Sequence, residues 1–328
     1  MTTSQTAASQ TTPPAERLVL GAMMFGTAVD EATSFAVLDR FVDAGGRWID
    51  TADCYAFWAS ESGYGGQSEE LLGRWFAARP GVRDRILLAT KFGAEPRDAA
   101  SWPASRTGLS AEAINAQIAG SLRRLGTDHV DLVWGHMEDR SVPVEETADA
   151  CAALVSDGVA ARIGLSNHPA WRVERARRHA VGQGTEPFSA VQHAYSYLQP
   201  RPGVRMGNHR FGRLSDDLVD LAAVEGLEVW AYTPLLSGAY DNPAKPIPEL
   251  FDHPGTTQRL AVLDDVAAQV GGSRGQVVLA WLTARGIRPM LGGSKVHQLD
   301  AAVAAMALEL PAELLELMNG VDVTPPSA

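Results

Sequence analysis

Cysteine is scarce in this 328-residue chain: Cys54 and Cys151 are the only two, and neither sits in a C-x-x-C or other metal-ligand spacing. That pattern excludes a disulfide framework, gives no metal site, and suits a reducing cytoplasm. Cys54 has no basic partner near it in sequence, so it is not expected to act as a nucleophile. Positive charge is also short, with 28 Lys and Arg against 39 Asp and Glu and a formal net charge of -11. Nucleic acid and anionic membranes usually require a basic face, so neither is expected as a partner. No apolar run approaches a membrane span, and the opening "MTTSQTAASQTTPPA" lacks the basic and apolar regions of a signal peptide. Residues 1–15 read as a disordered polar tail in front of a single domain over 16–328. No G-x-G-x-x-G fingerprint follows the first strands, which argues against a doubly wound dinucleotide-binding sheet.

What the chain does contain is a regular rhythm. Short apolar runs at 21–27, 47–52, 85–91, 130–136, 161–167, 189–196, 228–234 and 287–293 read as strands. Amphipathic segments lie between them, several opened by Ser or an acidic residue and closed by Gly, as helix capping favours. Eight strands alternating with helices favour parallel pairing through right-handed crossovers, so the predicted fold is a single (β/α)8 TIM barrel. Two connections are long, 92–110 after the third strand and 197–214 after the sixth. Both follow strands and are expected on the active-site face of the barrel.

The ends of the second, third and fourth strands carry Asp50, Lys91 and His136. Adjacent strands lie about 4.8 Å apart, so such groups can meet. A tyrosine beyond Asp50 would complete a proton-transfer site: an ammonium stabilises a phenolate, a carboxylate holds the ammonium, and the histidine donates to a carbonyl oxygen. Two tyrosines compete in "WIDTADCYAFWASESGYGGQSEELLG". Tyr55 is tethered to the strand end by a short link, whereas Tyr64 sits among the permissive Gly63, Gly65 and Gly66. Tyr55 is the expected catalytic phenol.

These residues resemble the aldo-keto reductases. "WIDTADCY" looks like the D-T-A-x-x-Y motif of that family, "ATK" its strand-three lysine and "VDLVWGH" its strand-four histidine. "GLSNH", "VQHAYS", "WAYTPL" and "LGGSKVHQL" are similar to its later cofactor-binding segments, in the right order. The resemblance implies reduction of an aldehyde or ketone, with Tyr55 as proton donor and hydride from a nicotinamide bound without a Rossmann domain. It also implies that Ser166, Asn167 and Gln192 hold the carboxamide, Tyr232 stacks on the nicotinamide ring, and Leu235 and Ser237 line the pyrophosphate path. Gly292, Ser294, Lys295 and Gln298 would surround the adenosine end. Lys295, a local cation in an acidic chain, suits a 2′-phosphate and points to NADPH rather than NADH.

The sequence departs from that family in two places. Ala301 and Ala302 stand where Glu and Asn adenine contacts are usual, and Tyr55 is followed by "AFWASESG" instead of directly by glycine. Residues 56–66 therefore read as an insertion before a helix capped by Ser68. Phe57 and Trp58 in it, with Trp102 and Tyr197 on the long loops, are candidate walls for a bulky or aromatic carbonyl substrate. Two other functions fit part of the pattern: a nicotinamide-binding redox reporter similar to potassium-channel β-subunits, and a barrel lyase with a Schiff base on Lys91.

Overall fold

The computed structural model describes residues 12–201 and 212–321. Eight parallel strands close into a barrel in sequence order: β1 (Val19–Gly21), β2 (Trp48–Asp50), β3 (Leu87–Phe92), β4 (Leu132–Gly135), β5 (Ile163–Ser166), β6 (Ala190–Ala194), β7 (Glu228–Tyr232) and β8 (Ile287–Gly292). Helices α1 (Glu31–Asp43), α2 (Gln67–Ala78), α3 (Ala111–Leu125), α4 (Val144–Ser156), α5 (Ala170–Gln183) and α6 (Asp216–Glu225) connect successive strands. Two helices, α7 (Pro254–Val270) and α8 (Arg274–Ala284), share the β7–β8 connection, and α9 (Val296–Ala305) and α10 (Ala312–Asn319) follow β8. The predicted single (β/α)8 barrel is the observed fold. Among the described residues, no helix is long and apolar enough to cross a membrane.

Alternation along the strands separates two cores. Val19, Trp48, Ala89, Leu132, Trp134, Ala190, Trp230 and Met290 fill the barrel interior. Leu20, Ile49, Leu88, Val133, Leu165 and Val191 face outward against the helices. Inside, the Trp230 ring packs edge-on at 5.0 Å from Trp48 and 5.1 Å from Trp134. Gly164 in β5 is required by this packing, because a Cβ there would land on the Trp134 ring. At the strand-entry end, Glu228 accepts from Arg162 Nη1 at 2.7 Å, Arg288 Nε at 2.9 Å and Trp230 Nε1 at 2.9 Å. That half-buried ion cluster closes the barrel floor, away from the strand ends that carry the ionisable groups.

Two local expectations are corrected. The first strand is Val19–Gly21, not 21–27. The apolar "AMMFGT" turns back at the barrel mouth instead, with Gly26 at φ 81° and a single bridge from Phe25 to Val29. Ser68 does not cap α2: the helix starts a residue earlier, after Gly66 at φ 112°, where a Cβ would lie 2.8 Å from Arg124 Cδ. The Ser68 hydroxyl is buried inside the first turn, where it donates to Ala22 O at 2.8 Å and bonds Thr51 Oγ1 at 2.7 Å. Glu69 is fully buried, accepting from Thr90 Oγ1 at 2.5 Å and pairing with Arg124 at 2.7 Å, so it anchors α2 to β3 and α3. Pro14–Arg17 forms a 3-10 turn with Ala15 buried. Of the long 197–214 connection, residues 202–211 lie outside the described residues.

Candidate active site

Asp50 closes β2, Lys91 is the penultimate residue of β3, and His136 directly follows β4. Ladder-like bonds continue past the strand ends, with Thr51 N donating to Ala89 O at 2.9 Å, Asp53 N to Lys91 O at 3.0 Å and His136 N to Phe92 O at 2.9 Å. These fix the catalytic-face backbone before any side chain is considered. Lys91 and Asp50 are fully buried and form an ion pair. The other two Lys91 ammonium donors reach Thr51 O at 2.8 Å and Tyr55 Oη at 3.0 Å. An ammonium has three donors, and all three are used. Because Tyr55 accepts from Lys91, its own O–H remains available to donate. The His136 ring meets Tyr55 edge-on, with centroids 5.7 Å apart.

Protonation states follow from burial and from this pairing. Burial pushes the Tyr55 phenol up to about 12, and Lys91 only partly opposes it. The sequence argument that a nearby ammonium lowers this pKa is therefore outweighed by desolvation in the folded protein. Tyr55 is protonated near neutrality, the form a proton donor needs. Burial also presses on the Lys91 ammonium, but the charges and hydrogen bonds of Asp50 and Tyr55 more than offset it and its pKa is raised. Burial raises the Asp50 carboxyl against the pull of Lys91 and a 3.1 Å hydrogen bond from Gln192 Nε2. Burial, then the Lys91 charge, hold His136 well below the usual imidazole range, so it is neutral.

The residues singled out at the ends of β5, β6 and β7 form one network with these groups. Asn167 Nδ2 donates to His136 O at 2.9 Å and to Ser166 Oγ at 3.0 Å, and Asn167 Oδ1 accepts from Tyr232 Oη at 2.8 Å. Ser166 Oγ donates to Gln192 O at 3.0 Å. Asn167 sits at φ 62°, a left-handed conformation that asparagine tolerates better than most residues. After β7, Thr233, Leu236 and Ser237 also have φ between 48° and 59°, so the segment containing Leu235 and Ser237 curls tightly at the mouth. Gly292 ends β8 opposite Gly21 of β1, and a Cβ on Gly292 would meet nothing nearer than Gly21 O at 3.9 Å. That leaves an open cradle. Ser294, Lys295 and Gln298 are exposed beyond it at the start of α9, with Ser294 Oγ 2.8 Å from Gln298 Oε1. Among the described residues, Lys295 enters no ion pair.

Of the aromatic candidates, Phe57 lies 5.2 Å from both Trp58 and Trp102, and Trp58 lies 6.5 Å from Tyr55. Phe57 is buried as the hinge of this group, while Trp58 is 50% exposed. Tyr197 does not join them. It is fully buried 5.3 Å from Trp281 of α8, and offers a substrate no open face. Tyr64 is 53% exposed on the loop after Tyr55, where its amide donates to Ser62 Oγ at 3.2 Å. The two ends of that loop are joined: Gly66 N donates to Tyr55 O at 2.8 Å, and Ala56 N to Gln67 Oε1 at 3.1 Å.

Behind Asn167 lies a buried histidine pair. His168 Nδ1 is 2.7 Å from Ser166 O, and His193 Nε2 is 2.9 Å from His168 O. Burial lowers His168 to about 3 and His193 to about 4. The unfolded chain would protonate both near pH 6.5, so it binds more protons than the native state below that pH. Their contribution is intact above about pH 6.5 and is lost as pH falls towards about 4, at roughly 1.4 kcal/mol per pH unit per histidine. Urea unfolding across that window should show stability falling with acid, and His193→Gln should flatten the slope.

Sequence reasoning missed one contact entirely. Cys54 Sγ lies 3.6 Å from His136 Nδ1, so the basic partner absent from the neighbouring sequence arrives from β4. Burial raises the Cys54 thiol well above its ordinary value, which keeps it protonated and a poor nucleophile all the same. Spacing could not reveal a partner 82 positions away.

The model of the Aldo/keto reductase family matches residues 17–322. Among similar curated proteins, an uncharacterized oxidoreductase, YrpG, of Bacillus subtilis is 30% identical over 93% of this chain and 91% of its own length. An aryl-alcohol dehydrogenase of Pestalotiopsis microspora is 31% identical over 93% of this chain and 78% of its own. An aryl-alcohol dehydrogenase [NADP(+)] of Phanerodontia chrysosporium is 27% identical over 92% and 80%. This chain belongs to the aldo/keto reductase family and is an NAD(P)H-dependent oxidoreductase.

Proposed function

We propose, with that membership as premise, that the enzyme reduces an aromatic aldehyde or ketone to the alcohol using NADPH, with Tyr55 giving the proton. The observation that carries this reading is the Lys91 ammonium, which pairs with Asp50 and donates to Tyr55 Oη at 3.0 Å. A reduced nicotinamide, when bound, supplies hydride to the carbonyl carbon. Tyr55 passes its proton to the carbonyl oxygen as negative charge develops there, and Lys91 stabilises the phenolate left behind. Neutral His136 donates a hydrogen bond to the same oxygen. Asp50 keeps Lys91 charged and in place.

The mouth of the barrel fits the cofactor. Ser166, Asn167 and Gln192 are assigned to the carboxamide and Tyr232 to the face of the ring, each already held by the hydrogen bonds that reach Asp50 and His136. Leu235 and Ser237 are assigned to the pyrophosphate and Gly292, Ser294, Lys295 and Gln298 to the adenosine end, beyond the paired ends of β8 and β1. The unpaired Lys295 favours a 2′-phosphate, and the NADP(+) in the name of the Phanerodontia chrysosporium relative agrees. The exposed Trp58 and the Trp102 ring, each packed on Phe57, favour a flat aromatic substrate, in keeping with two relatives named for aryl alcohols. Residues 56–66 are assigned as an insertion, residues 16–328 as the catalytic domain, and the two unpaired, buried cysteines favour a cytoplasmic setting. A Schiff-base role for Lys91 is disfavoured, since that step needs a neutral amine and all three ammonium donors are occupied.

The test is the initial rate of nicotinamide oxidation with a reactive aromatic aldehyde, run with NADPH and with NADH. Lys295→Ala should raise KM for NADPH by about 10- to 100-fold, the range of one charge-assisted hydrogen bond, and leave KM for NADH unchanged. Equal losses with both nucleotides would place the 2′-phosphate elsewhere.

A further inference from the structure

Asp53, Cys54 and His136 bring a carboxylate oxygen, a thiol sulfur and an imidazole nitrogen within 4.8 Å of one another, and all three residues are buried. We infer that these three side chains form a binding site for a zinc-class divalent cation, next to the proposed catalytic groups and sharing His136 with them. Sequence spacing gave no hint of it, because the histidine comes from a different strand.

The geometry is the first support. With Zn–S near 2.3 Å and Zn–N near 2.0–2.1 Å, a tetrahedral angle at the metal requires sulfur and nitrogen about 3.6 Å apart. Cys54 Sγ and His136 Nδ1 are 3.6 Å apart. A neutral S–H to imidazole contact can also have that length, so the third ligand decides the matter. Asp53 is only 3% exposed, and neither carboxyl oxygen has a hydrogen-bond partner of good geometry. Buried carboxyls are rarely left in that condition, and one supported only weakly, by the adjacent Cys54 amide, beside a thiol and an imidazole has the form of an open coordination position. An Asp53 oxygen lies within 4.8 Å of both the sulfur and the nitrogen, against the separations of about 3.3–3.6 Å that a tetrahedral ion needs.

The charges are compatible. A dication with one thiolate and one carboxylate is neutral as a unit, the protons of the Cys54 thiol and of the Asp53 carboxyl both leaving to solvent on binding. Glu69 and Glu95 add negative potential around Asp53, and Arg124 opposes it. The donor set of one sulfur, one nitrogen and one oxygen selects zinc or cobalt over magnesium or calcium, which prefer oxygen alone. A metal on His136 Nδ1 would fix the ring proton on the other nitrogen. Occupancy would thereby set the tautomer of a residue assigned to the substrate oxygen.

Full-length protein freed of metal by chelation and dialysis should be titrated with Co2+, following thiolate-to-cobalt charge-transfer absorption, and with Zn2+ in a calorimeter. The expected result is one ion per chain and a charge-transfer band, lost in Cys54→Ser and retained in Cys151→Ser. Asp53→Asn should weaken binding by about tenfold or more, with circular dichroism confirming that each variant is folded. Tyr55→Phe should bind metal as the parent does, so a failure of the catalytic reading leaves this test intact. A band that survives Cys54→Ser would overturn the site. So would absence of saturable binding, which would leave Asp53 as a buried protonated acid.

Discussion

Tyr55→Phe should abolish carbonyl reduction while leaving NADPH binding near its original strength. Removing a positioned general acid typically lowers the rate by about 10²- to 10⁴-fold. Tyr55 is the phenol that Lys91 contacts, and the change removes one oxygen from a ring otherwise held by its packing against Trp58 and His136. Tyr64→Phe should have no comparable effect, since that ring points to solvent. Initial rates with an aromatic aldehyde, set beside NADPH titrations by fluorescence, separate the outcomes. If Tyr64→Phe were the inactive variant, the proton would come from the glycine-flanked segment and the assignment of Tyr55 would fall. If both variants kept full activity, neither phenol would be the acid.

Lys91→Met carries the second large effect, this time on stability as well as rate. Asp50 and Lys91 are both fully buried, so removing the ammonium leaves a desolvated carboxyl without its charge partner, supported by the neutral donors Gln192 Nε2 and Trp134. Breaking a buried pair from one side costs about 3–5 kcal/mol, because the remaining group stays desolvated. Asp50→Asn combined with Lys91→Met removes both charges. Chemical unfolding should then place the double variant closer to wild type than Lys91→Met alone. Both variants should be inactive. If the double variant were the less stable, the pair would be giving the fold more than mutual neutralisation, and the accounting of Asp50 as a holder of Lys91 would need revision.

How far the sequence anticipates this site depends on whether proximity is set by strand order or by side-chain packing. Asp50, Lys91 and His136 were legible because a parallel barrel places successive strand ends side by side, and a residue at the end of a strand inherits that position. Tyr55 was legible for a related reason, its short tether. Cys54 against His136 was not, because it depends on which way a side chain turns in a loop. Tyr197 failed likewise: its place on a connection after β6 suggested the mouth, but Trp281 and Arg259 draw the ring inward. Ser68 looked like a cap because serine before two glutamates usually is one. In the folded chain its hydroxyl instead joins Ala22 O to Thr51, a long-range bond that no local pattern encodes. The pKa of Tyr55 shows the same division, since the sequence names the neighbouring charge but not the depth of burial that outweighs it.

The loop that leaves at Tyr55 and returns at Gly66 meets itself at its base, where Gly66 N donates to Tyr55 O at 2.8 Å and Gln67 Oε1 receives Ala56 N at 3.1 Å. A segment closed at its own stem can be lengthened, shortened or exchanged without shifting the residues on either side of it. Selection could therefore rewrite Phe57, Trp58 and the rest of that excursion to suit a new substrate while the phenol stays registered on its strand, so that this barrel can change its diet without relearning its chemistry.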